Sequence, residues 1–165
     1  MIGNIIRTPT IRSQHLSSKI NGEVFLKLEN LQYTSSFKVR GAYTSITRLK
    51  EEQKKMGVIA MSAGNHAQAV AWWAKKERVN ATIVMPEHAP LFKVMKTKNL
   101  GAEVILRGRT LNESQTYVSE LVNDKKLTLI HPYDDYNVVI GQGTLGLEFM
   151  ACLLYTSDAA DDRIC

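Results

Sequence analysis

The stretch Val58-Ile59-Ala60-Met61-Ser62-Ala63-Gly64-Asn65-His66-Ala67-Gln68 decides the fold class. An unbroken apolar run opening on two β-branched residues reads as a strand buried on both faces. The small residues Ser62-Ala63-Gly64 end it, and helical spacing follows over Asn65–Glu77. A strand passing directly into a helix is half of a crossover, and the same unit recurs on either side. Short apolar runs lie at Glu23–Leu28, Ala81–Met85, Glu103–Leu106 and Leu127–Ile130; segments with helical spacing lie at Lys38–Glu52, Leu91–Leu100 and Leu111–Asp124. The alternation predicts an α/β fold: an open parallel twisted sheet with helices on both faces. Crossovers in such a sheet are right-handed, and ligands sit at the carboxyl ends of the strands.

Punctuation agrees with these limits. Met56-Gly57 closes a helix before Val58, Gly101 follows Leu91–Leu100 as a C-cap glycine, and Pro86 and Pro90 flank a loop. Asn112 stands where an N-cap would precede Glu113. The tail, residues 151–165, loses the helical pattern and brings Asp158, Asp161 and Asp162 in quick succession. It reads as non-native sequence or a frayed end.

At 165 residues, 44% hydrophobic and 22% charged, the chain suits one ordinary globular domain and neither a disordered nor a fibrous one. Its apolar runs, such as Ala69-Val70-Ala71-Trp72-Trp73-Ala74, fall far short of the roughly 18–20 residues of a membrane span. Met1-Ile2-Gly3-Asn4 has neither the basic nor the apolar region of a secretory signal, so a cytoplasmic protein without a membrane partner is expected. The net charge of +5 is dispersed, and the cluster Lys93, Lys96, Lys98 lacks the interleaved aromatics of single-strand binders, so no nucleic-acid partner is expected. Cys152 and Cys165 are the only cysteines and share no ligand spacing with His15, His66, His88 or His131. No metal site is expected.

Three segments could carry chemistry. In Ser35-Ser36-Phe37-Lys38-Val39-Arg40-Gly41-Ala42, the serines are N-cap types, so Lys38 falls in the first turn of a helix. The positive end of the helix dipole disfavours its charged form there, and a neutral amine is what Schiff-base chemistry uses. A solvated lysine fits the same pattern. In Ser62-Ala63-Gly64-Asn65-His66-Ala67-Gln68, small residues let the backbone approach a ligand, and the helix start offers N–H groups to a carboxylate or phosphate. A plain turn capped by Ser62 or Asn65 fits as well. Gly141-Gln142-Gly143-Thr144-Leu145-Gly146 matches G-x-G-x-x-G, but His131-Pro132-Tyr133-Asp134-Asp135 separates it from the preceding strand. A dinucleotide site and a glycine-rich helix start both remain open for it.

Together these segments resemble the threonine dehydratase and serine racemase branch of fold-type II pyridoxal-phosphate enzymes. The likeness rests on Arg7-Thr8-Pro9, Leu26-Lys27-Leu28-Glu29-Asn30-Leu31-Gln32, Ser36–Ala42, Ser62–Gln68, Gly101-Ala102-Glu103-Val104, and His131–Asp135 with Gly141-Gln142-Gly143-Thr144. The resemblance runs in family order from residue 7 to about residue 150. It implies pyridoxal 5'-phosphate as cofactor, held covalently by Lys38, with Asn65 on the ring hydroxyl and Phe37 packed beside it. Ser62, Ala63, Gly64, Asn65 and His66 would wrap the carboxylate of a small amino-acid substrate. The implied reaction dehydrates and deaminates L-threonine or L-serine to 2-oxobutanoate or pyruvate and ammonia, with Lys38 as the base at Cα. The glycine run becomes a helix start of the family.

The resemblance also implies that residues 1–37 begin the larger cofactor domain and 38–150 are mainly the smaller α/β domain. Ala63 departs from the racemases of this branch, which carry a proton-donating serine there, so dehydration is expected over racemisation. Ser35 stands where glycine is usual. The family's phosphate cradle and pyridine-nitrogen partner would lie beyond position 150, so this chain is expected to be an amino-terminal piece of a homo-oligomeric enzyme, with weak cofactor binding and little activity of its own. Serine racemase and a non-catalytic nucleotide-binding module are the alternatives.

Overall fold

A computed structural model describes residues 3–156, and a four-stranded parallel sheet lies at their centre. Strands β3 (Val58–Met61) and β4 (Ala81–Met85) form its middle, with β5 (Glu103–Leu106) beyond β4 and β6 (Thr128–Leu129) beyond β3. Val58 pairs with Ala81 on one side and Thr128 on the other, and Thr82 pairs with Glu103. Alternation along the strands divides the core into two layers. Val58, Ala60, Ile83 and Met85 pack with residues of α2 (Lys38–Thr47), α4 (Asn65–Lys76) and α5 (Leu91–Asn99). Ile59 and Val84 face Val118 and Leu121 of α6 (Leu111–Lys125). Burial of each large aliphatic side chain in these layers contributes about 1.5–3 kcal/mol. The open parallel sheet with helices on both faces is thus the fold that forms. Among the described residues, no helix is long and apolar enough to cross a membrane, and no cluster of three or more His, Cys, Asp or Glu side chains could hold a metal ion.

The expected limits hold for β3, β4 and β5 and, within one residue, for α4, α5 and α6, and differ at other elements for local reasons. The run Glu23–Leu28 does not join the parallel sheet. Its central part, β2 (Phe25–Lys27), pairs antiparallel with β1 (Thr10–Arg12) in a separate two-stranded sheet. A parallel central strand needs two apolar faces, whereas β2 is only half-buried and carries Lys27. The short helix α1 (Gln14–Ile20) connects the pair. The segment Lys38–Glu52 splits into α2 and α3 (Glu51–Met56), because Gln53 Oε1 accepts from the Lys50 amide at 2.9 Å and opens a new helix there. Helix α6 is capped by Thr110 instead of Asn112: Thr110 Oγ1 accepts from the Glu113 amide at 3.2 Å, and Glu113 Oε2 accepts from the Arg109 amide at 2.8 Å.

The last helix, α7 (Tyr136–Thr156), starts earlier than the glycine run implies. Asp135 Oδ1 caps it by accepting from the Val138 amide at 2.8 Å. Gly141–Gly146 therefore lies in the helix interior and is not a helix start, and its amides have no free helix end to present to a phosphate. The tight packing expected of the glycines is confined to Gly141. A Cβ there would overlap the Arg40 carbonyl oxygen and lie 2.6 Å from Gly41 Cα, whereas one at Gly143 would meet nothing within 4 Å. Residues 151–156 continue α7, and the remainder of the 151–165 tail lies outside the described residues.

Arg40 ties these parts together from a fully buried position in α2. Its Nε and Nη2 donate to Glu29 at 2.8 Å each, and its Nη1 and Nη2 donate to Glu148 of α7 at 2.8 Å each. Thr8 Oγ1 donates to Glu29 at 2.6 Å, and Lys27 Nζ pairs with Glu148 at 2.9 Å while donating to the Thr8 carbonyl at 2.6 Å. Two cations face two carboxylates, so the cluster is neutral. Burial alone would raise both carboxyl pKa values; hydrogen bonds and charge from Arg40, with Thr8 on Glu29 and Lys27 on Glu148, outweigh it and hold both below the ordinary glutamate value.

Two tests follow from this packing. Gly141→Ala loses about 1–3 kcal/mol in urea unfolding through overpacking, while Gly143→Ala gains about 0.5–1 kcal/mol, the ordinary preference of a helix interior for alanine. Arg40→Met leaves two carboxylates facing each other and loses about 3–5 kcal/mol by the same measurement; a loss below about 1 kcal/mol contradicts the role given to the cluster.

Candidate active site

At the carboxyl ends of β3 and β6, Lys38 and His66 both bond to the chain that follows β6, and the turn Ser62–Gly64 leads from β3 into the helix that carries His66. After β3, the Ser62 amide donates to the Val84 carbonyl at 3.1 Å, extending the ladder by one bond. Ser62 Oγ then accepts from the Gly64 amide at 3.1 Å and turns the chain into α4. No side chain caps α4, so its first amides are left for another acceptor. Ala63 and Gly64 are half-buried, Asn65 is exposed on the first turn, and a Cβ at Gly64 would meet nothing within 4 Å. The turn thus borders open space.

Lys38 is the first residue of α2. The turn before it places Ser35 at φ +56, the left-handed conformation that a glycine would adopt at lower cost. Ser36 Oγ accepts from the Lys38 amide at 3.3 Å. The Lys38 side chain reaches the chain beyond β6, where its Nζ donates to the Pro132 carbonyl at 2.7 Å. Nζ also stands 5.3 Å from the ring centroid of Phe37, which is exposed. Burial of the amine lowers its pKa below that of an ordinary lysine.

His66, in the first turn of α4, is almost fully buried, and its Nε2 lies 2.8 Å from the Ile130 carbonyl. A carbonyl only accepts, so Nε2 carries the proton and Nδ1 is bare. Nδ1 is buried without a partner. Burial above all, then the charges of Lys38 and His131, lower the His66 pKa to about 4 against the opposing effect of the Ile130 bond. The loop beyond β6 is itself shaped by His131, whose Nδ1 accepts from the Asp134 amide at 2.7 Å.

These features fit a carbonyl-bearing cofactor and an anionic amino-acid substrate: an amine held below its usual basicity can bond to a carbonyl carbon, and the uncapped start of α4 beside open space at Gly64 offers amides to an anion. Lys38 and the turn at 62–66 are the candidates that the sequence singles out. The Ile130 and Pro132 carbonyls on which Lys38 and His66 converge are not among them, because a main-chain acceptor leaves no mark on residue type.

The family model of "Pyridoxal-phosphate dependent enzyme" matches residues 2–160. The chain belongs to this family of enzymes. It is 55% identical over 147 residues to a curated catabolic L-threonine dehydratase, TdcB of Staphylococcus aureus strain USA300, covering 88% of this chain and 42% of that protein. Among solved structures, the processed form of threonine deaminase isoform 2 from Solanum lycopersicum superposes with TM-score 0.86 at 39% identity, over 90% of this chain and 41% of that one. Serine racemase from Dictyostelium discoideum follows with TM-score 0.83 at 37% identity, over 90% and 48%. The chain therefore spans less than half the length of these relatives.

A pH dependence follows from His66. The unfolded chain takes up its proton near 6.5 and the folded chain only near 4, so stability present above 6.5 declines as the pH falls towards 4. The decline reaches about 3 kcal/mol, and His66→Gln removes it. Urea unfolding at neutral pH and at about pH 4.5 measures both. Glu29 and Glu148 begin to add to the loss near 4.5, where the unfolded chain takes up their protons, and add more as the pH falls further, because their folded pKa values are depressed.

Proposed function

We propose that this chain carries the lysine-bearing part of the site of a pyridoxal-phosphate-dependent dehydratase, acting on L-threonine or L-serine to give 2-oxobutanoate or pyruvate and ammonia. The observation that supports it most is the half-buried amine of Lys38, which ends on the same tripeptide as His66 of the uncapped first turn of α4. Lys38 would hold the cofactor covalently, Asn65 would meet its ring hydroxyl, and Phe37 would flank it. When bound, the cofactor supplies an electron sink for the charge that develops at Cα.

The remaining roles fall to side chains and amides of this chain. The turn Ser62–His66 binds the substrate carboxylate through first-turn amides and orients Cα towards Lys38. Once displaced by the substrate's own amine, the Lys38 amine, less basic than an ordinary lysine because of burial, would take the Cα proton. Ala63 offers no hydroxyl to return a proton from the opposite face, which supports elimination over racemisation. The division into 1–37, 38–150 and 151–165, the homo-oligomeric state, the cytoplasmic location and the absence of a nucleic-acid partner belong to the same proposal.

Borohydride reduction in the presence of pyridoxal phosphate is expected to leave a pyridoxyl label on the peptide containing Lys38, and Lys38→Ala is expected to abolish it. Label distributed over exposed lysines with none at Lys38 would overturn the assignment. Incubating the whole-length protein with L-serine separates the two chemistries: pyruvate marks the dehydratase and D-serine the racemase.

A further inference from the structure

Lys38 and His66 stand on different helices, yet both end on one tripeptide. Lys38 Nζ donates to the Pro132 carbonyl at 2.7 Å, and the His66 ring donates to the Ile130 carbonyl at 2.8 Å. That tripeptide, Ile130-His131-Pro132, follows a strand of only two residues, whose ladder ends with the Ile130 amide on the Ile59 carbonyl at 2.9 Å. Beyond this bond, the His66 ring adds a hydrogen bond from α4 to the main chain of Ile130, whose side chain is buried in the core. We propose that His66 is a positioning residue for the Lys38 amine, acting through the main chain of Ile130–Pro132. This rests on the reading above, in which the Lys38 amine attaches the cofactor and moves the proton.

The burial of the ring fits the role. Nε2 must carry the proton to donate to Ile130, and the ring stays neutral down to a pH of about 4, so the donor orientation persists throughout the neutral range without placing a cation beside Lys38. Two titratable side chains of the loop beyond β6 are engaged elsewhere. His131 is turned to the Asp134 amide, and Asp135 to the Val138 amide and the Ser45 hydroxyl. Neither offers Lys38 a substitute for the Pro132 carbonyl. The same tether joins the turn proposed for the substrate carboxylate to the amine proposed for the proton, so the spacing of the two is set by a main-chain strut.

Competitive acetylation of the protein without cofactor, followed at the Lys38 peptide across neutral to alkaline pH, reads the amine directly. His66→Leu keeps the ring's bulk but has no donor. It is expected to move the Lys38 titration upward by about half a pH unit or more, which is roughly a threefold fall in neutral amine at fixed pH. His66→Gln has an N–H able to reach Ile130 and is expected to keep the wild-type profile. A His66→Leu variant that is folded by circular dichroism yet titrates as wild type overturns the proposal, as does a His66→Gln variant that shifts as far as His66→Leu. A third readout needs no variant: ¹⁵N spectra of the histidine rings must show His66 as the Nε2–H tautomer through the neutral range, and an Nδ1–H tautomer overturns the proposal outright. Because none of these uses the cofactor, they fail separately from the borohydride experiment. An unlabelled Lys38 removes the cofactor assignment and leaves the tether standing.

Discussion

A guanidinium buried between two carboxylates is the constraint on which the rest of the molecule depends. Arg40 engages both of them through paired donors, and with Lys27 it balances their charge. Such a cluster can be buried only if every partner is present, so the segment bearing Glu29, helix α2 and helix α7 have a single mutual arrangement. Apolar packing specifies volume, whereas the paired hydrogen bonds also specify rotation. Arg40 follows Lys38 by two positions, which places the two side chains on nearly opposite sides of α2. Holding Arg40 inward therefore turns Lys38 outward to the strand ends, and the rotation of one helix sets where the amine lies.

The close approach of α2 and α7 serves the same end. Gly141 stands where a β-carbon would strike the α2 backbone, and the short gap lets Glu148, two turns further along, reach the guanidinium. A run that looked like a nucleotide fingerprint is thus a packing device in mid-helix. Of its three glycines only the first is used in this way, while Gly143 and Gly146 border open space.

β3, β4 and β5 are readable to the residue because each is a short run rich in apolar and β-branched residues bounded by turn or helix signals; β3 and β4 are largely buried, while β5, at the sheet edge, is exposed at both ends. β1 was invisible at three residues, and β2 was assigned to the wrong sheet, since a short apolar run does not reveal its partner. Thr110 was passed over as a cap although Glu113 stands three positions on, in the spacing of a capping box. Lys38 and Ser62–His66 stand out in the sequence through their chemistry and the resemblance they carry, and their roles belong to the proposed function. Arg40 lay within a quoted motif and received no role, because an arginine on a helix reads as solvated until its partner, 108 positions away, is placed beside it.

The spans bridged at the site bear on how the chain acquires it. The bond from Lys38 to Pro132 closes 94 residues and that from His66 to Ile130 closes 64, whereas β3 meets β4 and β4 meets β5 across single crossovers. Chain entropy opposes the longer closures more strongly. The three-stranded part of the sheet can form from neighbouring pieces of chain, while the amine finds its carbonyl only after β6 has docked on the far side of β3. The bonds made by Lys38 and His66 thus depend on the placement of the shortest strand in the four-stranded sheet.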